Sequence, residues 1–302
     1  MKDLKTIRGM PDLYDEDVER ISIVENICLE TFKSFNFQEF RTPIVENKTL
    51  FQRSVGESSD IIQKEVYEFE DRNGEILCLR PEGTAGLVRA LITNGLMNDE
   101  IKKFFYLGPM FRYERPQKGR KRQFFQAGAE LIGEESTKSD VEIILLAKTI
   151  LEKLNVKYTL EINYLGKEDS LNSYRSYLRK YLQNFKDELS EKVYSRLQRN
   201  PIRAIDSKDS NIQEIFKKAS DISDFLKKEE KESFERTIKS LKDLKIDFNL
   251  NKNLVRGLDY YTGTVFEFTV DGLGAQNAVI GGGRYDNPVS YTHLTLPTSS
   301  QV

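Results

Sequence analysis

Apolar side chains recur every three or four positions in several stretches of the chain, and this spacing predicts helices. In residues 15–35 the recurring positions are Val18, Ile21, Val24, Cys28 and Phe32. Pro81 opens a new element that has Glu82 and Thr84 in its first turn, and a second predicted helix follows through residues 88–96. Ser139 and Glu142 form a capping-box pattern that predicts the start of a third helix, which continues to Leu154.

Other stretches have the composition or alternation of strands. Pro43 interrupts the first of them, so we expect that strand to lie at an edge or at the end of a sheet. The pair Asn73-Gly74 separates two short apolar runs and predicts a hairpin. Before residue 166, the predicted strands cover residues 37–45, 66–69, 76–79, 103–114, 123–133 and 158–164.

The pattern changes between residues 167 and 245, where Lys and Glu surround apolar positions at helical spacing. Strand patterns return at residues 247–250, 264–270 and 278–280. Strands, then helices, then strands again indicate an antiparallel α+β domain with a helical insertion. We therefore divide the chain into a first part of a core (1–166), a helical insertion (167–245), a second part of the core (246–287) and a tail (288–302).

Composition narrows the class of protein. Charged residues make up 31% and apolar residues 38% of the 302 residues, and the net charge is −2. These values exclude a mainly disordered chain, a collagen-like chain and a membrane bundle, and they leave no overall basic field for nucleic acid. The first residues have no apolar stretch like that of a secretory signal, and the two cysteines have no metal-ligand spacing. We expect a cytoplasmic protein without a membrane partner.

The tail differs from the rest of the chain. Residues 288–302 contain no Asp, Glu, Lys or Arg, and they include the only histidine, His293. Residues 289–298 read VSYTHLTLPT, which one reverse translation matches to a common sequencing adapter. We therefore expect a non-native tail and a natural gene that continues past Asn287, and we assign His293 no role. A natural Ser/Thr-rich terminus is the alternative.

Two predicted strands could present polar chemistry on one face. Alternation places Phe124, Gln126 and Glu130 on the same side of their strand, and Arg112 and Glu114 can lie beside them if the two strands form a hairpin. Such a surface suits a phosphate, an aromatic base and a cationic amine. On pattern alone, a solvated sheet face is the simpler interpretation. The opposite side of the second strand carries an apolar set that should face a core: Phe125, Ala127, Ala129 and Leu131.

Several longer motifs together carry a specific resemblance. Residues 111–126 (FRYERPQKGRKRQFFQ) resemble motif 2 of class II aminoacyl-tRNA synthetases in its histidyl-tRNA synthetase version. Residues 254–263 (LVRGLDYYTG) resemble the histidine-specific motif of that family. Shorter matches are residues 7–12 (IRGMPD), 79–85 (LRPEGTA), the motif 1-like stretch 37–43 and residues 281–286 (GGGRYD). The resemblance covers residues 1–287.

The resemblance implies the class II catalytic domain, a mixed and mainly antiparallel sheet flanked by helices. It implies activation of L-histidine with ATP and Mg²⁺ to histidyl-adenylate, followed by transfer to tRNA(His). It also implies a homodimer through the motif 1 region. The helical insertion of the family leans on the tRNA acceptor stem, which gives the Lys-rich helices a secondary hypothesis.

Roles for individual residues also follow from the resemblance. Arg112 would contact the ATP α-phosphate and the substrate carboxylate, and Arg256 would lie across that phosphate. Phe124 would stack on adenine, with Glu114 and Arg120 completing the ATP site. The remaining residues would bind histidine: Glu82, Thr84 and Gln126 its amino group, Glu130 and Tyr261 its imidazole, with Tyr260 and Gly83 lining the pocket. No metal ligands are assigned.

Two departures from the family and two alternative readings remain. Phe125 stands where many members have His. Motif 3 and the anticodon-binding domain are expected beyond Asp286 and are not present, so we expect this chain to activate histidine poorly.

One alternative is the non-catalytic regulatory subunit of ATP phosphoribosyltransferase, which shares the fold, and the intact motif 2 and histidine motif argue against it. The other is a different class II synthetase. Arg256 with Asp259, the two tyrosines and the run Gly281–Gly283 also have purely structural readings: an ion pair, core aromatics and a turn.

Overall fold

The computed structural model of the chain describes residues 5–55, 65–98, 100–116, 120–205, 207, 209–256, 260–273 and 277–285. The helices are α1 (Glu16–Ser34), α2 (Lys48–Val55), α3 (Thr84–Thr93), α4 (Thr137–Lys153), α5 (Glu168–Gln183), α6 (Glu191–Arg199), α7 (Ser210–Phe216) and α8 (Lys228–Asp243). The strands are β1 (Gln38–Glu39), β2 (Val45–Asn47), β3 (Glu68–Glu70), β4 (Ile76–Leu79), β5 (Lys102–Phe111), β6 (Gln123–Ile132), β7 (Thr159–Tyr164), β8 (Asn249–Leu250), β9 (Thr262–Thr269) and β10 (Ala278–Arg284).

The described strands form three sheets, in the orders β1-β5-β6, β10-β9-β7-β8 and β2-β4-β3. Two pairings, β1 with β5 and β7 with β8, are parallel, and the others are antiparallel. The predicted α+β class with mainly antiparallel sheets and flanking helices is therefore confirmed. No helix of the described part is both long and apolar enough to span a bilayer.

The long hairpin of β5 and β6 is the centre of the first sheet. Its ten residue pairs run from Lys102 opposite Ile132 to Phe111 opposite Gln123. Helices α1 and α4 pack on one face of this hairpin and bury a core that includes Phe32, Phe105 and Leu146. Because side chains alternate along both strands, the opposite face is left to carry a different set of residues.

Between β7 and β8 the chain forms α5 to α8, with short 3-10 turns between them. This helical segment packs on the rest of the molecule through a core in which Leu171 and Ile202 meet Leu254 and Val255. Within the segment, the buried Glu230 carboxylate joins α8 to the start of α5, because it accepts hydrogen bonds from the backbone of Lys167 and the hydroxyl of Ser170. The boundaries assigned to an insertion at 167 and 245 remain a prediction.

Arg284, near the end of β10, links the second sheet to the start of α4. Its guanidinium donates to the carbonyl of Ser136 at 2.8 Å, to the hydroxyl of Ser139 at 2.9 Å and to the carboxylate of Asp140 at 3.0 Å. Thr264 of β9 donates to the other oxygen of that carboxylate. This network joins β9, β10 and α4.

One local prediction was wrong: helix α4 begins at Thr137 instead of Ser139, and Glu142 forms an ion pair with Lys103 in place of a capping box. The strand predicted at 278–280 continues to Arg284, which rules out the alternative reading of Gly281–Gly283 as a turn. The helix predicted for residues 15–35 is confirmed as α1, in which Cys28 and Phe32 are buried while Val18 and Val24 are exposed.

The apolar face predicted for β6 is also buried only in part. Ala129 and Leu131 pack on the core beneath α1 and α4, as expected. Phe125 is 43% exposed and Ala127 is exposed, because the helices reach only the far end of the strand. The prediction that Phe125 faces the core is therefore wrong.

Candidate active site

The face of the β5–β6 hairpin opposite α1 and α4 forms the floor of a cleft. Cross-strand pairing places Tyr106 opposite Gly128 and Met110 opposite Phe124, so their side chains share this face with those of Gln126 and Glu130. The Tyr106 ring lies against Gly128 and also against Gly83, where an added methyl group would overlap it. The two glycines therefore let a buried aromatic ring lie flat at the bottom of the cleft.

Glu82 is fixed at the start of α3. Its two carboxylate oxygens accept hydrogen bonds from the backbone N–H of Thr84 at 2.7 Å and of Ala85 at 2.9 Å. A helix N-terminus favours such an anion. Burial nevertheless raises the pKa of Glu82, and these two amides and the charge of Arg112 oppose that rise.

Glu130 receives a hydroxyl on each side. Thr84 donates to one carboxylate oxygen at 2.7 Å, and Tyr285 donates to the other at 2.6 Å. Burial raises the pKa of Glu130 to about 7, partly offset by the two hydroxyls and reinforced by the nearby Glu82 charge. Residues from β6, α3 and the end of β10 therefore hold one buried carboxylate in a fixed orientation.

Two adjacent tyrosines stand beside this carboxylate. The ring centroids of Tyr260 and Tyr261 are 4.6 Å apart, and the Tyr260 ring meets that of Tyr285 edge-on at 5.5 Å. Burial raises the pKa values of both hydroxyls above the usual value, and the two hydroxyls share a hydrogen bond. Both tyrosines are therefore neutral hydrogen-bonding groups at ordinary pH.

Gln126 has an unsatisfied acceptor. Its side-chain oxygen is buried and has no hydrogen-bond partner among the described residues. Because a buried carbonyl without a partner costs free energy, a ligand that donates a hydrogen bond there would be favoured. An ammonium group is such a donor.

Positive charge lies at the other end of the cleft. Arg112 donates from Nε to the carbonyl of Pro81 at 2.8 Å, and its guanidinium carbon lies 5.1 Å from the centroid of the Phe124 ring. Glu114 is 3.9 Å from Arg112 and 2.7 Å from Arg120. These ion pairs hold two cations close together beside an aromatic ring.

Arg256 adds a third cation. It forms an ion pair with Glu267 of β9, and its guanidinium lies 5.9 Å from the centroid of the Tyr261 ring. The charge of Arg112 acts on the Glu82 carboxylate and that of Arg256 on the Tyr261 hydroxyl, and Tyr261 also lies near Glu130 and Glu82, so the cations and the buried carboxylates are close to one another.

The structure brings nearly all the predicted site residues to this cleft. Its lining includes Glu82, Thr84, Arg112, Glu114, Arg120, Phe124, Gln126, Glu130, Arg256, Tyr260 and Tyr261. Gly83 contacts the Tyr106 ring instead. Their roles toward particular ligands stay predictions. The predicted partner Asp259, part of the motif 2 loop and the tail lie outside the described residues.

Sequence reasoning assigned no role to two residues of the cleft, Tyr106 and Tyr285. Tyr106 lay in a stretch identified only as a strand, and nothing in its spacing indicates that it faces two glycines. Tyr285 lay in the quoted run 281–286, but its contact with Glu130 joins positions 155 apart in sequence. The glycines themselves were the one available signal of a close contact.

The arrangement suits a ligand with distinct ends. The cations can bind a phosphate or a carboxylate, while Glu82, Gln126 and Glu130 can bind groups that donate hydrogen bonds. The described residues contain no group of three or more His, Cys, Asp or Glu placed to hold a metal ion.

Comparison with known proteins shows the family of the chain. The model of the family described as Histidyl-tRNA synthetase matches residues 9–293. The chain is 45% identical to histidine–tRNA ligases of Prochlorococcus marinus strain NATL1A (96% of this chain, 69% of that one) and of Dictyoglomus turgidum (93% and 69%).

The chain is also similar to solved structures of histidyl-tRNA synthetases. The apo histidyl-tRNA synthetase of S. aureus has a TM-score of 0.75 at 35% identity, over 95% of this chain and 67% of that one. A Bacillus halodurans protein described as an ATP phosphoribosyltransferase regulatory subunit/histidyl-tRNA synthetase has the same fold, with a TM-score of 0.70 at 22% identity over 96% of this chain and 78% of that one. On the family match and the 45% identity, the chain belongs to the histidyl-tRNA synthetase family.

Proposed function

We propose that the cleft binds L-histidine and ATP and forms histidyl-adenylate, the first step of a histidine–tRNA ligase, with transfer to tRNA(His) as the second. The observation that carries the proposal is that the Arg112 guanidinium lies over the ring of Phe124, which shares one face of β6 with Gln126 and Glu130. A guanidinium at one end and a buried carboxylate at the other match an amino acid whose carboxylate is to be joined to a phosphate.

Imidazole recognition would fall to Glu130 and Tyr261. Glu130 is held by Thr84 and Tyr285, so its remaining lone pairs can accept an imidazole N–H without reorganisation. An apolar analogue would leave this buried carboxylate without a partner, and such a loss gives strong discrimination. The amino group would be held by Glu82 and Gln126. The side-chain oxygen of Gln126 is buried and lacks a partner among the described residues.

The chemical step would depend on positioning and charge. The substrate carboxylate is already ionised, so its attack on the α-phosphorus needs no general base; the new bond to phosphorus forms as the bond from the α-phosphorus to the bridging oxygen breaks and pyrophosphate leaves. Two anions must approach each other, and Arg112 and Arg256 would balance the negative charge that builds up on the phosphate. Phe124 would hold adenine by stacking. Mg²⁺, which the family implies, would be held mainly by the ATP phosphates, as is usual for Mg²⁺ in nucleotide sites.

Calorimetric titration tests the proposal with the 302-residue chain. We expect binding of L-histidine and of L-histidinol, and a loss of affinity of about 10- to 100-fold in Glu130→Gln, since a charged hydrogen bond is worth about 1.5–3 kcal/mol. Glu188→Gln, at an exposed carboxylate in the helical segment, serves as the matched control and should bind normally. A folded wild-type chain that binds neither compound, or an equal loss in both variants, would contradict the proposal.

The same titration addresses the regulatory alternative. Arg112, Arg256 and Glu130, to which we assign roles toward the substrates, are all present, and this favours a catalyst. Absence of histidine and ATP binding, together with capture of a purified ATP phosphoribosyltransferase, would favour a regulatory subunit. Isotopic pyrophosphate exchange then measures how much of the activation step this chain performs.

A further inference from the structure

The guanidinium of Arg256 is supported by residues of two neighbouring strands. Glu267 of β9 forms an ion pair with its Nη1. Gly281 of β10 is the cross-strand partner of Glu267, and the two residues lie directly opposite each other. The guanidinium lies over this pair, in contact with a carboxylate on one strand and a bare backbone on the next.

The guanidinium of Arg256 can occupy its position over β10 only because residue 281 has no side chain. A methyl group built on Gly281 would overlap Nη1, Nη2 and Cζ of Arg256. Gly281 lies in a regular strand, where glycine is unfavourable unless a close approach requires it. The approach of the guanidinium provides that reason.

The same arrangement leaves donors of the guanidinium for a ligand. Arginine has five N–H donors in a rigid fork, and the Glu267 contact involves Nη1. Nε of Arg256 is buried and has no hydrogen-bond partner among the described residues. A cation that is held on one side and has an unsatisfied donor on another is preorganised for an anion.

We propose that Glu267 is a positioning residue that orients Arg256 toward the α-phosphate, and that Gly281 is the strand position that admits the guanidinium. This inference rests on the proposed function, because it needs a phosphate-bearing ligand in the cleft. It predicts that a substitution of Glu267 lowers the affinity for ligands that contact Arg256 and leaves the affinity for other ligands unchanged.

Two ligands separate these cases: L-histidine, and the sulfamate analogue of histidyl-adenylate, in which a sulfonyl group replaces the phosphoryl group. In Glu267→Gln we expect about 10-fold weaker binding of the analogue and less than a 2-fold change for histidine. Glu267→Asp, which keeps the charge, should recover part of the loss. Glu161→Gln is the matched control, because Glu161 lies opposite Glu267 on β7 and bonds to Asn251 instead of Arg256.

A double-mutant cycle shows whether Glu267 acts through Arg256. In an Arg256→Met background, Glu267→Gln should cause no further loss of analogue affinity. Gly281→Ala should likewise weaken binding of the sulfamate analogue and leave histidine binding nearly unchanged. Thermal unfolding reports whether each variant is folded.

Equal weakening of both ligands by Glu267→Gln, or an undiminished loss in the Arg256→Met background, would overturn the inference and leave the proposed function standing. The inference would also be overturned, with the proposed function standing, if the wild-type chain binds histidine and no variant affects the two ligands differently. Failure of the folded wild-type chain to bind either ligand would overturn the proposed function and this inference with it.

Discussion

The two ends of the cleft are built in different ways. At the inner end, defined here as Glu82, Thr84, Glu130 and Tyr285, a buried pair of carboxylates is held by hydroxyl and backbone donors from separate elements. At the outer end, defined as Arg112, Glu114 and Arg120, the charges pair with one another, and the two arginine side chains remain 23% and 33% exposed.

The difference indicates how each end can contribute. A buried carboxylate that loses a donor has no water to replace it, so the inner end is costly to disturb and can be selective. Ion pairs that reach solvent contribute little to stability, and a phosphate can replace a carboxylate as the partner of an arginine. The inner end would therefore discriminate between amino acids, while the outer end would balance charge.

The largest expected effect is a pH dependence of stability that originates at the inner end. Burial raises the pKa of Glu130 from 4.5 to about 7, so between these values the native state binds more protons than the unfolded state. The free energy of unfolding should therefore fall as the pH rises from 5 to 8, by up to about 3 kcal/mol from this group. Few other groups titrate in this range, because the sequence contains one histidine.

Urea unfolding at pH 5, 6, 7 and 8 measures this slope. Glu130→Gln should have a shallower slope than the wild type, with the remainder due to Glu82, whose pKa burial also raises. Glu188→Gln should keep the full slope. Identical slopes in wild type and Glu130→Gln would show that Glu130 is not the group responsible.

The next effect concerns the hydroxyl of Thr84. Thr84→Val keeps the shape of the side chain but removes the donor to Glu130, so we expect a loss of about 1–3 kcal/mol in the free energy of unfolding at pH 8. Histidine affinity should fall together with stability. Thr149→Val, whose hydroxyl bonds only to a carbonyl within α4, is the control and should change histidine affinity by less than 2-fold. Unchanged affinity in Thr84→Val would remove Thr84 from the inner end.

A smaller effect is expected at Tyr285. Tyr285→Phe removes the second donor to Glu130 and should cost about 1 kcal/mol of stability, with a 3- to 10-fold loss of histidine affinity. Tyr14→Phe, at a residue that is 72% exposed, provides the comparison in the same titration and melting experiments. Equal behaviour of the two variants would argue that the Tyr285 hydroxyl does not support Glu130.

Part of the cleft could be predicted from the sequence, because strand alternation fixes which side chains share a face and the motif resemblance indicates Glu82 and Thr84. Gln126 and Glu130 were placed on one face by this rule, and the register of β5 and β6 agrees. Tyr285 could not be placed, since its contact with Glu130 depends on how two sheets pack. The ion pair of Arg256 with Glu267 could not be predicted for the same reason, because the strand register that sets Gly281 opposite Glu267 is not visible in either segment alone.

The errors have a physical cause as well. The apolar pattern of β6 predicted a core around Phe125, but the extent of α1 and α4 decides how far that core reaches. The run Gly281–Gly283 has the composition of a turn, and only the close approach of other groups explains why a strand contains three glycines.

The smallest expected effect lies at the outer end. Glu114→Gln weakens the ion pairs with Arg112 and Arg120, and we expect a change of about 0.5 kcal/mol or less in the free energy of unfolding. Guanidinium chloride would screen these charges, so urea is the suitable denaturant. A loss comparable to that of Thr84→Val would show that the two ends do not differ in the way described here.

A crystal structure with L-histidine and a non-hydrolysable ATP analogue bound tests the central claim most directly. The account predicts the imidazole within hydrogen-bond distance of Glu130, the amino group beside Glu82 and Gln126, and the α-phosphate between Arg112 and Arg256. An imidazole at the arginine end, or a nucleotide bound outside the β5–β6 face, would contradict it.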